Sequence, residues 1–344
     1  MSKQDFSIPA LMNRLSSEAE AYKLLEELRW GADKSRCACP HCGVIGGHYY
    51  LAPANGSSRK TRMTGKTGAV SQRRVWKCCA CRKQFSVLTG TIFHGSKISV
   101  RTWVLVILEM CASKNGVSAR EIERKYDLTA KTAWFMCHRI REAMKLEPMA
   151  GLLSGVVAAD ETWIGGKPSN QSKSKRAPRA RWEVKRTEKP SVLALVDTVT
   201  GEVRSRVVPN VKGATLRDAI SQQVEMGATT LVTDEAQAYK MFAGEMKGHE
   251  RVTHSADEYV NKDGFTTNQA EAYFGQLKRS IDGTHHHVSV EHLARYLANH
   301  DFLRSTHEMD DSDRMRLLVA RTTGRRLTYK PLTDHRDYDT PSCP

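Results

Sequence analysis

The sequence lacks a long apolar run. Its longest, Trp103–Leu108, is followed at once by Glu109, whereas a helix that crosses a bilayer needs about 20 mainly apolar residues. The first residues, Met1–Asp5, lead into a mixed polar segment rather than into the apolar core of a secretory signal. We therefore expect a cytoplasmic protein with no membrane partner.

Acidic residues are scarce relative to basic ones. Lys and Arg number 53 against 38 Asp and Glu, which gives a net charge of +15 and a pI of about 9.5. Residues 59–83 carry nine basic side chains and no acidic one, and residues 165–190 carry nine against two Glu. This balance favours a polyanionic partner, above all nucleic acid, over the alternative of a merely soluble basic protein. We interpret 165–190 as a basic loop.

The cysteines do not suit a disulfide framework. Their number is nine, which is odd, and the sequence shows no export signal, so metal binding is favoured. Two C-x-x-C pairs are present: Cys39, Cys42, Cys78 and Cys81. Two such pairs complete a tetrahedral site of four thiolates, which predicts one structural Zn²⁺. Cys37 and Cys79 are near enough in sequence to replace a ligand, and ordinary buried cysteines are the alternative.

Periodicity divides the chain into segments. Helical spacing dominates before the cysteines, between about Val100 and Met144, and from Asn268 onward. Strands are predicted at 156–163, 192–198, 203–208 and 231–234, with a helix at 215–226 and a possible strand at 251–254. We predict five regions: an N-terminal helical segment (1–36), a zinc ribbon (37–95), a helix-turn-helix region (96–150), a catalytic domain (151–310) and a C-terminal tail (311–344).

A helix-turn-helix is predicted inside the second helical region. Ser118–Glu121 has the pattern of a capping box, Asp127–Thr129 forms a short turn, and Thr129 can cap a second helix that extends to about Met144. Helical spacing gives that second helix a basic face opposite its apolar stripe, formed by Lys131, Trp134, His138, Arg141 and Lys145. This face suits a recognition helix in the major groove; a plain helical hairpin with a solvated charged face is the alternative.

Three acidic residues occupy positions where metal sites are commonly built. Asp160 ends the apolar run Val156–Ala159, and Asp234 ends Leu231–Thr233. Strand ends are where α/β sheets form their sites. Glu271 opens a helix, and Lys278 lies two turns later on the same face. Three carboxylates that converge here suit Mg²⁺ or Mn²⁺ and metal-assisted phosphoryl transfer.

Several motifs together resemble a known family. Bacterial insertion-sequence transposases with an N-terminal zinc ribbon and an ISXO-like DDE domain are similar to this chain over about residues 21–332. The matching stretches are Cys39–Gly43, Phe85–Phe93, Lys131–Trp134, Asp160–Lys167, Asn268–Lys278 and Gly283–Ser289. The most specific are the run that starts at Asp160 and the run that contains three successive histidines.

The resemblance implies a fold and a set of catalytic residues. The fold is an α+β / α/β multidomain chain, in which a zinc ribbon and a helix-turn-helix precede a ribonuclease H-like mixed-sheet domain. The catalytic triad is Asp160, Asp234 and Glu271, which hold two Mg²⁺ (or Mn²⁺), and Lys278 is the basic residue that follows. Asn268, one turn before Glu271, is the alternative third ligand, although a carboxylate binds a divalent cation more strongly than an amide.

The resemblance also implies double-stranded DNA as partner, both the terminal inverted repeats and the target. Residues expected to contact DNA are Lys131, His138, Arg141, Lys167, Arg176, Arg179, Arg181 and Lys278. Because two element ends must be joined, a homodimer or higher oligomer is expected on DNA, in a nucleoid-associated protein. Two alternatives remain open: a non-catalytic zinc-ribbon regulator that binds DNA, and a ribonuclease H-like nuclease that cuts without joining.

Overall fold

The computed structural model describes residues 7–51, 73–146, 150–165, 190–252 and 264–333. The chain forms two compact units: Met1–Met144 together with Glu308–Pro344 (unit 1), and Lys145–His307 (unit 2). Nearly all of the predicted basic loop lies outside the described residues. None of the helices in these ranges has the length and apolar character needed to span a bilayer.

Unit 1 begins with two helices rather than one continuous helix. Helix α1 covers Ile8–Arg14 and α2 covers Glu18–Trp30. The separation occurs because Ser17 adopts an extended conformation and its side chain accepts a hydrogen bond from Glu20 N at 3.3 Å, which caps α2. A small antiparallel sheet follows, in the order β1 (Tyr49–Tyr50), β2 (Trp76–Lys77) and β3 (Gln84–Phe85).

A buried carboxylate joins α2 to this small sheet. Glu26 is only 1% exposed. Its two oxygens accept hydrogen bonds from Trp76 Nε1 at 2.8 Å and from Arg74 Nε at 3.0 Å. Because a buried charge is costly without partners, these two contacts fix how α2 packs on β2.

The two helices predicted for the helix-turn-helix are present in unit 1. Helix α3 covers Val100–Ala112, α4 covers Ala119–Lys125 and α5 covers Ala130–Met144. Ser118 caps α4, since its Oγ accepts from Glu121 N at 3.1 Å. Thr129 Oγ1 accepts from Thr132 N at 3.3 Å at the start of α5.

Unit 2 is built on a five-stranded mixed sheet with the order β6-β5-β4-β7-β8. Its strands are β4 (Leu153–Trp163), β5 (Ser191–Asp197), β6 (Val203–Val208), β7 (Val224–Thr233) and β8 (Gly248–Arg251). The first three form an antiparallel meander, and β7 and β8 add in parallel beside β4. This is the sheet of a ribonuclease H-like fold, so the predicted fold class is confirmed.

The helix that connects β6 to β7 ends earlier than predicted. Helix α6 covers Gly213–Ser221, and β7 already begins at Val224. The helix predicted to reach Met226 is therefore too long. The pairing of Val224 with Leu153 on β4 outweighs the local helical spacing. Of the possible strand at 251–254, Arg251 is the last residue of β8, and residues 253 and 254 lie outside the described residues.

Both faces of the large sheet are covered. On one face, Val157 and Ala159 of β4 pack with residues of α6 and of a short 3-10 helix, Gln237–Met241. On the other, Ala158 packs with helices α7 (Asn268–Arg279) and α8 (Val290–Ser305). Residues of β4 alternate between the two clusters, as a strand buried on both sides requires.

A second buried carboxylate holds α7 and α8 to the sheet. Asp301 on α8 accepts hydrogen bonds from Ser205 N at 2.9 Å, from Ser205 Oγ at 2.8 Å and from Tyr273 OH on α7 at 2.7 Å. Burial raises the pKa of Asp301 to about 7. The cluster therefore connects β6, α7 and α8 through a single side chain.

The segment predicted to be a C-terminal tail returns to unit 1. Helix α9 covers Asp311–Ala320 and contacts α2, α3 and α5, and a short helix α10 covers Lys330–Thr333. Between them, Gly324 N donates to Gly90 O at 2.9 Å. Arg325 Nη1 donates to Glu142 O, the carbonyl of an α5 residue, at 2.9 Å.

The predicted basic face of α5 is wrong for two of its members. His138 is 0% exposed and Arg141 is 1% exposed. The helix is packed on several sides, and contacts from the far C-terminal part of the chain, among them that of Arg325, add to this burial. Lys131 at the start of α5 is exposed, with Nζ 4.4 Å from the centre of the Tyr329 ring. His138 and Arg141 are therefore unsuited to contact DNA.

Replacing Glu26 by Ala should destabilise unit 1. The change leaves Arg74 and Trp76 without the carboxylate that accepts their hydrogen bonds. Removal of one member of a buried ion pair costs about 3 kcal/mol of folding free energy. Chemical denaturation at constant zinc measures the free energy of unfolding. The matched control is Glu20→Ala, whose partner Lys23 forms an exposed pair at 2.6 Å and whose loss should cost below about 1 kcal/mol. Equal effects of the two substitutions would contradict this role for Glu26.

Asp301 should give unit 2 a dependence of stability on pH. Its folded-state pKa of about 7 exceeds the value of about 3.9 for an unfolded Asp, so folding favours the protonated carboxyl. The stabilising contribution is complete below about pH 4 and is lost as pH rises through about 7. The difference in free energy of unfolding between wild type and Asp301→Asn should therefore fall from pH 4 to pH 7 in urea denaturation. The exposed control Asp218→Asn should show no such trend.

Candidate active site and metal centre

The parallel pairing of β4 with β7 sets two carboxylates side by side. The last pair in the ladder is Ala158 with Val232. Asp160 and Asp234 each follow two residues later, so both lie at the same level of adjacent strands, which are about 4.8 Å apart. A step of two residues also returns each side chain to the same face of the sheet. Asp160 therefore lies on the face of Ala158, which α7 covers.

Local hydrogen bonds orient both carboxylates. Asp160 Oδ1 accepts from Glu161 N at 2.7 Å, and Asp234 Oδ1 accepts from Ala236 N at 2.9 Å. The buried Thr233 donates from Oγ1 to Asp234 O at 3.0 Å and also lies 2.9 Å from His249 Nε2 on β8. The turn that carries Asp234 is thus fixed from the neighbouring strand. Sequence spacing gave no sign of His249, because its contact depends on the β7–β8 register.

Glu271 reaches this edge of the sheet on α7. The apolar face of the helix, with Ala270, Phe274 and Leu277, packs on the sheet. Glu271 lies in the first turn and is exposed, and Lys278 is exposed two turns later. Helix α7 ends at Arg279, and the chain continues as a π-helical turn, Ser280–His285, a geometry that often occurs beside functional sites.

The charges of these residues act on one another. The pKa of Asp160 is raised to about 6, mainly by burial and also by the negative charges of Asp234 and Glu271, and Lys278 acts in the opposite direction. The pKa of Glu161 is raised to about 7, again mainly by burial, with smaller contributions from Asp234 and Asp160. The structure therefore brings the four predicted residues into one electrostatic environment with an excess of negative charge.

The carboxylates do not converge on a single point. Among the residues that the structure describes, two groups have three or more ligand atoms within 4.8 Å of one another, and both contain Cys78. Asp160, Asp234 and Glu271 form no such group. Hard oxygen donors under mutual repulsion suit divalent cations.

The four predicted zinc ligands do converge. Cys39 Sγ lies 3.7 Å from Cys81 Sγ, and Cys42 Sγ lies 3.6 Å from Cys78 Sγ. Zn–S bonds of about 2.3 Å in a tetrahedron give sulfur separations of about 3.8 Å, so the donor set fits Zn²⁺. The residue after each pair has a left-handed backbone, with φ of 77° at Gly43 and 59° at Arg82, and this turns the chain around the thiolates.

The residues predicted to contact DNA fall into three groups: exposed, buried, and outside the described residues. Lys131 and Lys278 are exposed in their separate units, and His138 and Arg141 are buried as described above. Four lie outside the described residues: Lys167, Arg176, Arg179 and Arg181.

Comparison with known proteins adds two kinds of finding. An uncharacterized protein in transposable element ISH50 of Halobacterium salinarum is 28% identical over 290 residues, which are 82% of this chain and 88% of that protein. Two solved structures are also similar. The catalytic core domain of BIV integrase shares 16% identity over 42% of this chain and 81% of that one, with a TM-score of 0.28.

The second structure is the simian T-cell lymphotropic virus intasome in complex with PP2A regulatory subunit B56 gamma. It shares 15% identity over 52% of this chain and 63% of that one, with a TM-score of 0.26. At these TM-scores the two likenesses add nothing to the sheet topology described above.

Family models match both parts of the chain that carry candidate sites. Residues 16–84 match the transposase zinc-ribbon domain, which includes all four converging cysteines. Residues 152–304 match the ISXO2-like transposase domain, which includes Asp160, Asp234 and Glu271. The chain therefore carries a domain of the transposase zinc-ribbon family over residues 16–84, followed by a domain of the ISXO2-like transposase family over residues 152–304.

Proposed function

We propose that this protein is a DNA transposase that binds the terminal inverted repeats of its element and catalyses metal-dependent DNA cleavage and strand transfer. The observation that carries the proposal is the β4–β7 register, which sets Asp160 beside Asp234 at one edge of a ribonuclease H-like sheet. Glu271 adds its charge at the same place. An excess of negative charge is a poor surface for DNA unless cations offset it, which supports a metal-dependent reaction.

In this proposal the three carboxylates together bind two Mg²⁺ or Mn²⁺ ions. Bound there, the ions would lower the pKa of the attacking oxygen and neutralise charge on the leaving oxygen. Asp160 and Asp234 are oriented by the backbone donors of Glu161 and Ala236, so little rearrangement is needed on binding. Lys278 is positioned to pair with a phosphate of the bound strand.

The proposed reaction has two phosphoryl-transfer steps. In the first, water attacks the phosphodiester at the element end, and the 3′-oxygen leaves and takes up a proton to become a hydroxyl. In the second, this 3′-hydroxyl loses its proton and attacks a target phosphodiester, whose own 3′-oxygen leaves. The number of phosphodiester bonds is conserved in the second step, so no external energy source is required.

Recognition of DNA is assigned to unit 1 and to the basic loop. The exposed start of α5, with Thr129 and Lys131, is the part of the helix-turn-helix that remains available, and such residues read bases in this motif. The loop residues Lys167, Arg176, Arg179 and Arg181 are proposed to bind phosphates without sequence preference. Pairing two element ends requires a dimer or larger oligomer on double-stranded DNA, in a cytoplasmic, nucleoid-associated protein.

One structural Zn²⁺ is assigned to Cys39, Cys42, Cys78 and Cys81. Four thiolates fill a tetrahedral site, so this ion supports the ribbon and does not meet substrate. The small sheet of the ribbon has only two residues in each strand, and such a sheet has little stability of its own. Zinc binding therefore contributes directly to the folding of this region.

Asp160→Asn should abolish catalysis while DNA binding persists. The substitution keeps the shape of the side chain and removes the charge that holds the cations, so strand transfer should fall at least about a thousandfold. The assay joins labelled element ends to target DNA with Mg²⁺, beside a gel-shift assay of end binding. Glu225→Gln, an exposed acid at the far end of β7, is the matched control and should retain activity. Undiminished strand transfer by Asp160→Asn would refute the proposal.

The third ligand can be decided by a pair of variants on α7. Glu271→Gln should lose strand transfer to the same degree as Asp160→Asn, because it removes a charge that acts on Asp160. Asn268→Ala, one turn earlier, should retain activity within about tenfold of wild type. The opposite pattern would transfer the metal-binding role to Asn268. Cleavage without joining in the wild-type protein would instead indicate a nuclease.

A further inference from the structure

A second group of soft donors lies beside the four-thiolate cluster. A ring nitrogen of His48 and the Sγ atoms of Cys78 and Cys79 all lie within 4.8 Å of one another. Cys78 belongs to both groups, whereas His48 and Cys79 have no part in the first. The zinc ribbon therefore holds more donors than one tetrahedral ion can use.

The hydrogen bonding of His48 prepares one ring nitrogen for a ligand. His48 Nε2 lies 3.1 Å from Val44 O. A carbonyl oxygen only accepts, so Nε2 carries the proton, and in the neutral ring Nδ1 then carries the lone pair. Nδ1 is buried and has no hydrogen-bond partner, and a buried polar atom in that state costs free energy. A histidine that donates one N–H to a backbone carbonyl is the usual arrangement of a metal ligand.

Cys79 is available for the same ion. Its thiol is partly exposed, and its Sγ contacts Gly46 O at 3.7 Å. Gly47 has a left-handed backbone, with φ of 67°, and lies against the thiol, since a Cβ there would be in van der Waals contact with Cys79 Sγ at 3.5 Å. The glycine pair thus brings the chain around Cys79 just before it reaches His48.

We propose that His48, Cys79 and Cys78 form a second zinc site, in which the Cys78 thiolate bridges this ion and the ion of the four-cysteine cluster. A thiolate sulfur has more than one lone pair and can bind two cations at once. Three protein donors, one nitrogen and two sulfurs, are a set that Zn²⁺ accepts, with water as the fourth ligand.

The charges of the two-ion cluster nearly balance. Its ligands would be five thiolates, contributed by Cys39, Cys42, Cys78, Cys79 and Cys81, so that two Zn²⁺ leave one negative charge. Binding of the second ion displaces the proton of the Cys79 thiol into solution. Near this remaining negative charge, positive charge is supplied by the residues that flank the second cysteine pair in sequence, Lys77, Arg82 and Lys83.

The test counts metal ions on the full chain. The Asp160→Asn protein is used throughout, so that zinc bound at the carboxylates does not enter the count. After zinc loading and dialysis, elemental analysis should give two zinc per chain, and one after His48→Gln or Cys79→Ser. The matched control is His41→Gln, an exposed histidine inside the first cysteine pair whose Nε2 lies 3.3 Å from Gln84 O; it should keep two. The single zinc retained by the His48 and Cys79 variants would show that the ribbon still folds.

Cobalt supplies an independent readout. Titration of the full Asp160→Asn chain with Co²⁺ should saturate its thiolate-to-metal absorption at two equivalents, and that of the same chain carrying His48→Gln at one. Saturation of the chain with His48 intact at one equivalent would overturn the proposal. Two equivalents in both proteins would also overturn it. Neither readout depends on DNA joining, so the second site and the proposed transposase activity succeed or fail separately.

Discussion

The register between β4 and β7 is the constraint on which the candidate active site depends. A slip of one residue in this parallel pair would turn Asp234 to the opposite face of the sheet from Asp160. Burial protects the register, because Val157, Ala158 and Ala159 are all inaccessible to solvent and alternate between two separate hydrophobic clusters. Any slip would exchange the residues of these clusters. The geometry of two acids is therefore secured by the packing of the apolar residues that precede them.

Two buried carboxylates extend the same principle to each unit. Asp301 joins β6 to both helices on its face and so fixes α7, the helix that carries Glu271. Glu26 joins α2 to the small sheet that carries the zinc ribbon. In each case one charged side chain replaces a larger apolar contact, at the cost of desolvation. In exchange the position of a functional element becomes specific, since hydrogen bonds to a carboxylate tolerate less displacement than apolar packing does.

Local patterns in the sequence predicted much of the fold and the candidate site. Acids that end apolar runs, the spacing along α7 and the two cysteine pairs each depend on neighbours within a few residues. The structure brings the four cysteines together and sets Asp160 level with Asp234 on adjacent strands. The failures concern contacts that are distant in sequence. His138 and Arg141 are buried in a helix that also contacts residues near position 325, and α6 ends early because β7 pairs with β4. The partners of Glu26 and Asp301 were equally invisible to periodicity.

Unit 1 is assembled from two stretches separated by the whole of unit 2. The second stretch contacts the first through the hydrogen bond from Gly324 N to Gly90 O and through the β-bridge between Thr323 and Thr91. During synthesis, the ribosome delivers every residue of the nuclease-like sheet before it delivers the last helix of the unit assigned to DNA recognition. Unit 2, with its three candidate metal-binding acids, can thus fold while unit 1 is still incomplete. A polypeptide that ends before Asp311 would carry these acids and lack α9, the helix that packs on α2, α3 and α5.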